Sequence, residues 1–178
     1  MDSEEDFRRP PPLSPYKAGH IHLRVPRIAI EATIQLLRRA GRRESGVLWY
    51  GVRDRDGHGD VKYVVAPRQR MTWGNYHVSP AALGEVVHRL HENWKPLAQI
   101  HSHPGVYVEH SRYDDTAISS RRILSIVFPL YGNLTSPFPV GIGVHEWQDD
   151  YWHLLDDADA RRRVAVFEGV LEKVEDLR

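Results

Sequence analysis

The chain has 178 residues, 41% hydrophobic and 27% charged, which excludes a disordered, collagenous or fibrous protein and allows one core but not two ordinary domains. Its 24 Lys plus Arg balance 24 Asp plus Glu, so no overall field draws it to nucleic acid or an anionic membrane. With no cysteine, disulfides, thiolate metal sites and a cysteine nucleophile are excluded, and any metal must be held by His, Asp or Glu.

Residues 1–19 contain Pro10, Pro11, Pro12 and Pro15 among charged and small residues, and they read as a flexible arm, with docking as an extended segment as the alternative. The acidic, proline-bearing start is unlike a signal peptide, and no window reaches the ~18 apolar residues of a membrane span, so a cytoplasmic protein is expected. Residues 20–178 read as one domain. His20-Ile21-His22-Leu23-Arg24-Val25 alternates as a half-buried strand does. A helix is predicted over 26–40, where Pro26 opens it, Ile30, Ile34 and Leu37 line one face and Gly41 closes it. Strands at 46–52 and 61–65 are joined by a turn-rich link. Ser79-Pro80 starts a second helix whose apolar face, Leu83, Val86, Val87, Leu90 and Trp94, runs to Lys95-Pro96. A short strand at 97–100 delivers the chain at His101; a loop covers 105–110, and a short helix begins near Ser111. The apolar run at 123–130 suits a central strand, and Val140, Ile142 and Val144 continue the pattern. A turn at Gln148-Asp149-Asp150 joins two antiparallel strands, and a C-terminal helix is predicted over 159–177 with Val164, Phe167, Leu171 and Val174 inward. Strands and helices without regular βα alternation predict an α+β fold, a mixed α/β sandwich.

The segment richest in chemistry is His101-Ser102-His103-Pro104, followed by Ser111-Arg112-Tyr113-Asp114. Histidines at i and i+2 on an extended backbone point to one side, so both imidazoles can reach one ion. Asp114, returned by the loop, completes a His₂Asp set with a fourth tetrahedral position left for water, and nitrogen and oxygen donors suit Zn²⁺ first, with other divalent ions compatible by ligand type. Ser111-x-x-Asp114 is also a helix-capping pattern. His20 and His22 form a second pair with no carboxylate at loop distance, and His88-x-x-His91-Glu92 has the wrong order for a helical zinc motif; for His110 and His145 no partner is evident.

The run His101-x-His103-x₇-Ser111-x-x-Asp114 resembles the JAMM signature of the JAB/MPN metallopeptidase family. That family carries a glutamate after its first long helix, and Glu44-Ser45-Gly46-Val47-Leu48-Trp49-Tyr50-Gly51 stands at the matching place, though Trp49 and Tyr50 replace the usual small or aliphatic residues. The resemblance implies an MPN/JAB-like, cytidine-deaminase-like fold, a central curved sheet flanked by helices. It implies zinc held by His101, His103 and Asp114, Glu44 as the general base, and Ser111 stabilising the oxyanion. It further implies an isopeptidase or peptidase acting after the C-terminal glycine of a ubiquitin-like protein or its conjugate. The small size and 20 Arg against 4 Lys look like the prokaryotic branch, whose members accompany E1- and E2-like enzymes, including in antiphage systems.

Three other readings follow from the same family: a peptidase releasing an amino acid from a sulfur-carrier protein, an inactive scaffold, and a DNA-repair branch that the neutral charge disfavours, so that no nucleic-acid or membrane partner is expected. Trp49, Tyr50, Trp73, Tyr76 and Tyr107 are candidates to line the approach to the metal. Core packing is the stronger expectation for Trp49, and loop position favours Tyr107. Asn75 and His77 lie on the approach to the second helix without a role that the sequence explains.

Overall fold

A computed structural model of the chain describes residues 8–178. The chain runs through β1 (Leu23–Pro26), α1 (Arg27–Arg39), β2 (Gly46–Arg53), β3 (Gly59–Ala66), the ribbon β4 (Arg70–Met71) and β5 (Tyr76–His77), α2 (Pro80–Val87) and β6 (Lys95–Ser102). It continues through α3 (Arg112–Ala117), β7 (Leu124–Phe128), β8 (Gly143–Gln148), β9 (Tyr151–Leu154), α4 (Asp157–Arg163), β10 (Val164–Phe167) and β11 (Lys173–Asp176). Apart from the ribbon, the strands form one mixed sheet in the order β10-β1-β3-β2-β6-β7-β8-β9, with β11 beside β3. This is an α+β architecture, as the element pattern predicts.

The middle of the sheet is buried on both faces, and β2 shows why. Successive side chains of a strand point to opposite sides. Val47 and Trp49 enter the main core with Ile30 and Leu37 of α1, whereas Leu48 and Tyr50 enter a second cluster with Val86 of α2 and Trp94. Trp49 is therefore a core residue, and its indole N–H donates to Thr33 Oγ1 at 2.8 Å, so the one polar atom of that ring is satisfied inside. α1 keeps the predicted extent almost unchanged: Pro26 stands at its N-cap, Arg38 and Arg39 complement the dipole in its last turn, and Gly41 follows at φ 67°.

Three elements differ from expectation. The first strand begins at Leu23, so His20 and His22 precede it. The second helix starts as predicted, with Ser79 Oγ accepting from Ala82 N, but ends at Val87 and does not reach Trp94. Tight turns from Arg89 N to Val86 O and from Leu90 N to Val87 O close it, and the chain enters β6 already at Lys95. Trp94 is buried by this turn and not by a helical face. The predicted C-terminal helix is replaced by the seven-residue α4 followed by β10 and β11. Val164-Ala165-Val166-Phe167 instead pairs in parallel with all four residues of β1, whose outer edge was open. A β-branched run with an available edge takes the sheet over the helix.

Of the expected arm, residues 1–7 lie outside the described residues. Residues 8–19 form no helix or strand, yet they dock in extended form: Tyr16 Oη donates to Glu146 Oε2 at 2.6 Å, and Lys17 exchanges two hydrogen bonds with the Gln148 amide. Among the described residues, no helix is long and apolar enough to cross a membrane.

Candidate metal centre

β6 lies between β2 and β7 and ends at Ser102, so His101 is placed at the carboxyl end of an interior strand. Backbone bonds then fix the residue that follows: His103 N donates to Phe128 O and His103 O accepts from Tyr131 N, both at 2.9 Å. At Arg112 α3 returns the chain. Ser111 is its N-cap, and Ser111 with Asp114 forms a reciprocal capping box. The capping pattern is present, and it leaves the Asp114 carboxylate placed so that it could also serve as a ligand. Asp114 Oδ2 accepts from Ser111 N at 2.6 Å and from Ser111 Oγ at 2.8 Å, while Oδ1 faces His101.

The two imidazoles and the carboxylate converge. His101 Nε2 stands 3.0 Å from His103 Nε2 and 3.1 Å from Asp114 Oδ1, and His103 Nε2 lies 3.4 Å from Asp114 Oδ2. Ligands at about 2.0–2.1 Å from a tetrahedral ion stand roughly 3.3 Å from one another. The three donors therefore have the spacing and chemistry of a first coordination sphere, and they form the group of this kind found among the described residues. His103 Nδ1 meets Tyr107 O at 3.0 Å, which holds the tautomer whose Nε2 lone pair faces the centre. His101 Nδ1 is buried without a hydrogen-bond partner, and the ring is held by the Tyr76 phenol, stacked at 5.6 Å between centroids and 26° between planes. Gly46 makes room for that ring: a Cβ there would stand 2.4 Å from Tyr76.

Strand register brings in the fourth residue. Gly46 of β2 is paired with His101, and Ser102 N donates to Ser45 O, so the same antiparallel register continued by one step sets Glu44 opposite His103. Glu44 is buried, with its backbone N–H bonded to Thr72 O. Burial pushes its carboxyl up to about 7, opposed by the His103 charge and reinforced by Asp114. Burial would raise Asp114 too, but the two imidazoles beside it hold it well below the usual carboxylate range. Burial lowers His101 against the pull of Asp114; at His103, which is more exposed, that carboxylate outweighs burial and the imidazole is raised.

Two clefts lie in this region, of which the first reaches the group. One of about 690 Å³ is lined by His103, Ser111, Tyr107 and Tyr151 together with Arg9 and Tyr16 of the N-terminal segment. The other, about 470 Å³, passes Gly46, Tyr76, Gln99 and Tyr113. Tyr107 is 77% exposed on the rim of the first, where its loop position predicts it. Asn75 and His77 line the second; Trp73 is exposed, and Tyr50 belongs to the second core cluster. His20, His22, His88, His91 and Glu92 are not part of the group.

Sequence reasoning passed over an adjoining array. His110 Nδ1 meets Asp115 Oδ1 at 2.9 Å, and its Nε2 meets Ser125 Oγ at 2.8 Å; the His145 ring stacks on it at 3.8 Å. The available signal was adjacency, since His110 and Asp115 each neighbour a residue of the capping motif.

No family model and no curated protein matches this chain. Among solved structures, it is similar to the solution structure of protein DSY2949 from Desulfitobacterium hafniense, with a TM-score of 0.61 and 18% identity over 84% of this chain and 95% of that one. At that identity the likeness is one of fold.

Proposed function

We propose that this chain is a zinc-dependent isopeptidase or peptidase of the JAB/MPN type, hydrolysing the bond after the C-terminal glycine of a ubiquitin-like modifier in a bacterial conjugation system. The observation that carries this reading is the convergence of His101, His103 and Asp114, with Glu44 brought opposite His103 by strand register. Zn²⁺ bound there would supply Lewis-acid chemistry, lowering the pKa of water toward about 7 and polarising a carbonyl. Glu44 is the general base: its carboxylate takes the proton of the attacking water and returns it to the departing amine. Ser111 orients Asp114 through the bonds described, and its hydroxyl stabilises the oxyanion when it turns from that carboxylate toward the substrate. No covalent attachment to the protein is required. The cleft lined by His103 and Ser111 supports a substrate that reaches the centre from that side.

The test is metal analysis after dialysis, followed by incubation with a ubiquitin-like protein joined through its terminal glycine to a lysine side chain. Stoichiometric zinc and cleavage that a chelator abolishes and added Zn²⁺ restores are expected. Bound zinc with no cleavage of this conjugate, or cleavage only of a carrier–amino acid adduct, would overturn the isopeptidase assignment while leaving the metal centre standing.

A further inference from the structure

Arg9 comes from the proline-rich segment, yet its side chain is only 7% exposed. A buried guanidinium left unpaired is strongly unfavourable, so its acceptors are required, and they are specific. Nε donates to His110 O at 3.2 Å; Nη1 donates to Trp152 O at 3.0 Å and to both oxygens of Asp115 at 3.3 and 3.4 Å. Its Cζ lies 4.5 Å from the centroid of the Tyr151 ring, whose hydroxyl donates to Pro10 O at 2.9 Å and fixes the next residue of the segment.

Beyond Asp115 the array continues inward. An ionised carboxylate only accepts, so His110 Nδ1–H donates to Asp115, which leaves Nε2 to accept from the Ser125 hydroxyl. Carboxylate, imidazole and hydroxyl stand in the order of a hydrolase triad, but Ser125 is wholly buried within β7 and no substrate reaches it. What the array does reach is the first turn of α3. Asp115 follows Asp114 in the chain and donates its own N–H to Ser111 O at 3.3 Å. That turn is thus held on one side by His101 and His103 and on the other by Arg9, His110 and, through Ser125, by β7.

We propose that Arg9 is a positioning residue for the metal centre: through Asp115 and His110 it sets where α3 presents Asp114 to the two histidines. The N-terminal segment is then part of the site and not an appendage to it. This rests on the metal reading above, and it concerns ligand geometry, not contact with substrate. Partners of this kind, outside the ligands themselves, are typically worth about 10–100-fold in metal affinity.

The test uses the full chain, freed of metal and titrated with Co²⁺, with the visible spectrum of the bound ion and competition against a chelator as readouts. Arg9→Ala is expected to weaken binding by about 10–100-fold and to shift the cobalt spectrum, with circular dichroism unchanged. Arg9→Lys, which restores the charge without the planar fork, is expected to fall between it and the wild type. An Arg9→Ala protein with a lowered melting temperature but wild-type affinity and spectrum would overturn the proposal by reducing Arg9 to a structural anchor. Should Arg9→Ala fail to fold, Asp115→Asn decides: it keeps the backbone acceptors of Arg9 at His110 O and Trp152 O and removes the charge that ties Arg9 to α3, and a several-fold loss of affinity with a spectral shift is expected, whereas wild-type affinity and spectrum overturn the proposal. Wild-type protein that binds no Co²⁺ would end the metal reading itself, which is a separate result from a wild type that binds and variants that match it.

Discussion

His20-Ile21-His22 and His101-Ser102-His103 carry the same local pattern and meet different fates. The first pair precedes β1, and the His22 ring packs against His58 at 4.1 Å, with the backbone N–H of His22 donating to His58 Nδ1. The second closes β6, between two strands and beneath a helix whose first turn returns a carboxylate. Spacing alone sets two imidazoles on one side of a strand, but a metal centre also needs burial and a third donor, and a hydrolytic one needs a base. Those come from long-range elements: Asp114 from the α3 cap, and Glu44 from the β2–β6 register.

The comparison breaks most visibly at His103. His103→Ala removes a donor that stands 3.0 Å from His101 Nε2, and the expected outcome is loss of the bound metal after dialysis, read by elemental analysis. Stoichiometric metal in that variant would mean that the centre does not use this residue. Glu44→Gln sharpens the same contrast from the chemical side. On the proposed mechanism it is expected to keep fold and metal while lowering turnover by about 10²–10⁴-fold, since it would delete proton transfer alone. An unchanged rate would remove Glu44 from the mechanism even if the metal remained.

Next in size is an acid-side loss of stability that originates beside the centre. His145 is wholly buried, both of its ring nitrogens lack hydrogen-bond partners, and burial followed by the neighbouring His110 pushes it well below 6.5. The folded state keeps the ring neutral while the unfolded chain binds a proton below about pH 6.5, so this contribution is complete above that pH and is lost as the pH falls toward the depressed folded value. Melting curves at pH 8 and pH 5.5 should separate for the wild type, and the separation should shrink in His145→Phe. An equal separation in both proteins would place the acid sensitivity elsewhere.

How much of this was legible follows from the range of each interaction. α1, the β2–β3 pair and the Ser111 cap rest on neighbours within one or two turns, and the sequence carries those directly. The grouping of His101, His103 and Asp114 was legible as a motif, although its convergence depends on contacts that composition does not encode. The C-terminal region failed for the converse reason. Val164, Phe167, Leu171 and Val174 have helical spacing, but the outer edge of β1 accepts Val164–Phe167 in register, and no window around residue 164 reveals an open edge near residue 24. Arg9 was hidden in the same way: prolines around it predict an unpacked arm, while its acceptors lie more than one hundred residues away, on the α3 turn and on β9.

The smallest expected effect is the control that gives the comparison its meaning. In His22→Ala the imidazole is lost, but the backbone bonds of this turn, His22 N to His58 Nδ1 and Gly59 N to His22 O at 3.0 Å, remain available. The ring leaves no buried donor or acceptor stranded, because His22 and His58 are both only partly buried. Stability should therefore stay within about 0.5 kcal/mol of the wild type, the usual range for a surface change, and metal content should be unaltered. If metal content fell as it does in His103→Ala, the two pairs would be chemically equivalent, and burial beneath the α3 cap could no longer be what separates a ligand pair from a surface pair.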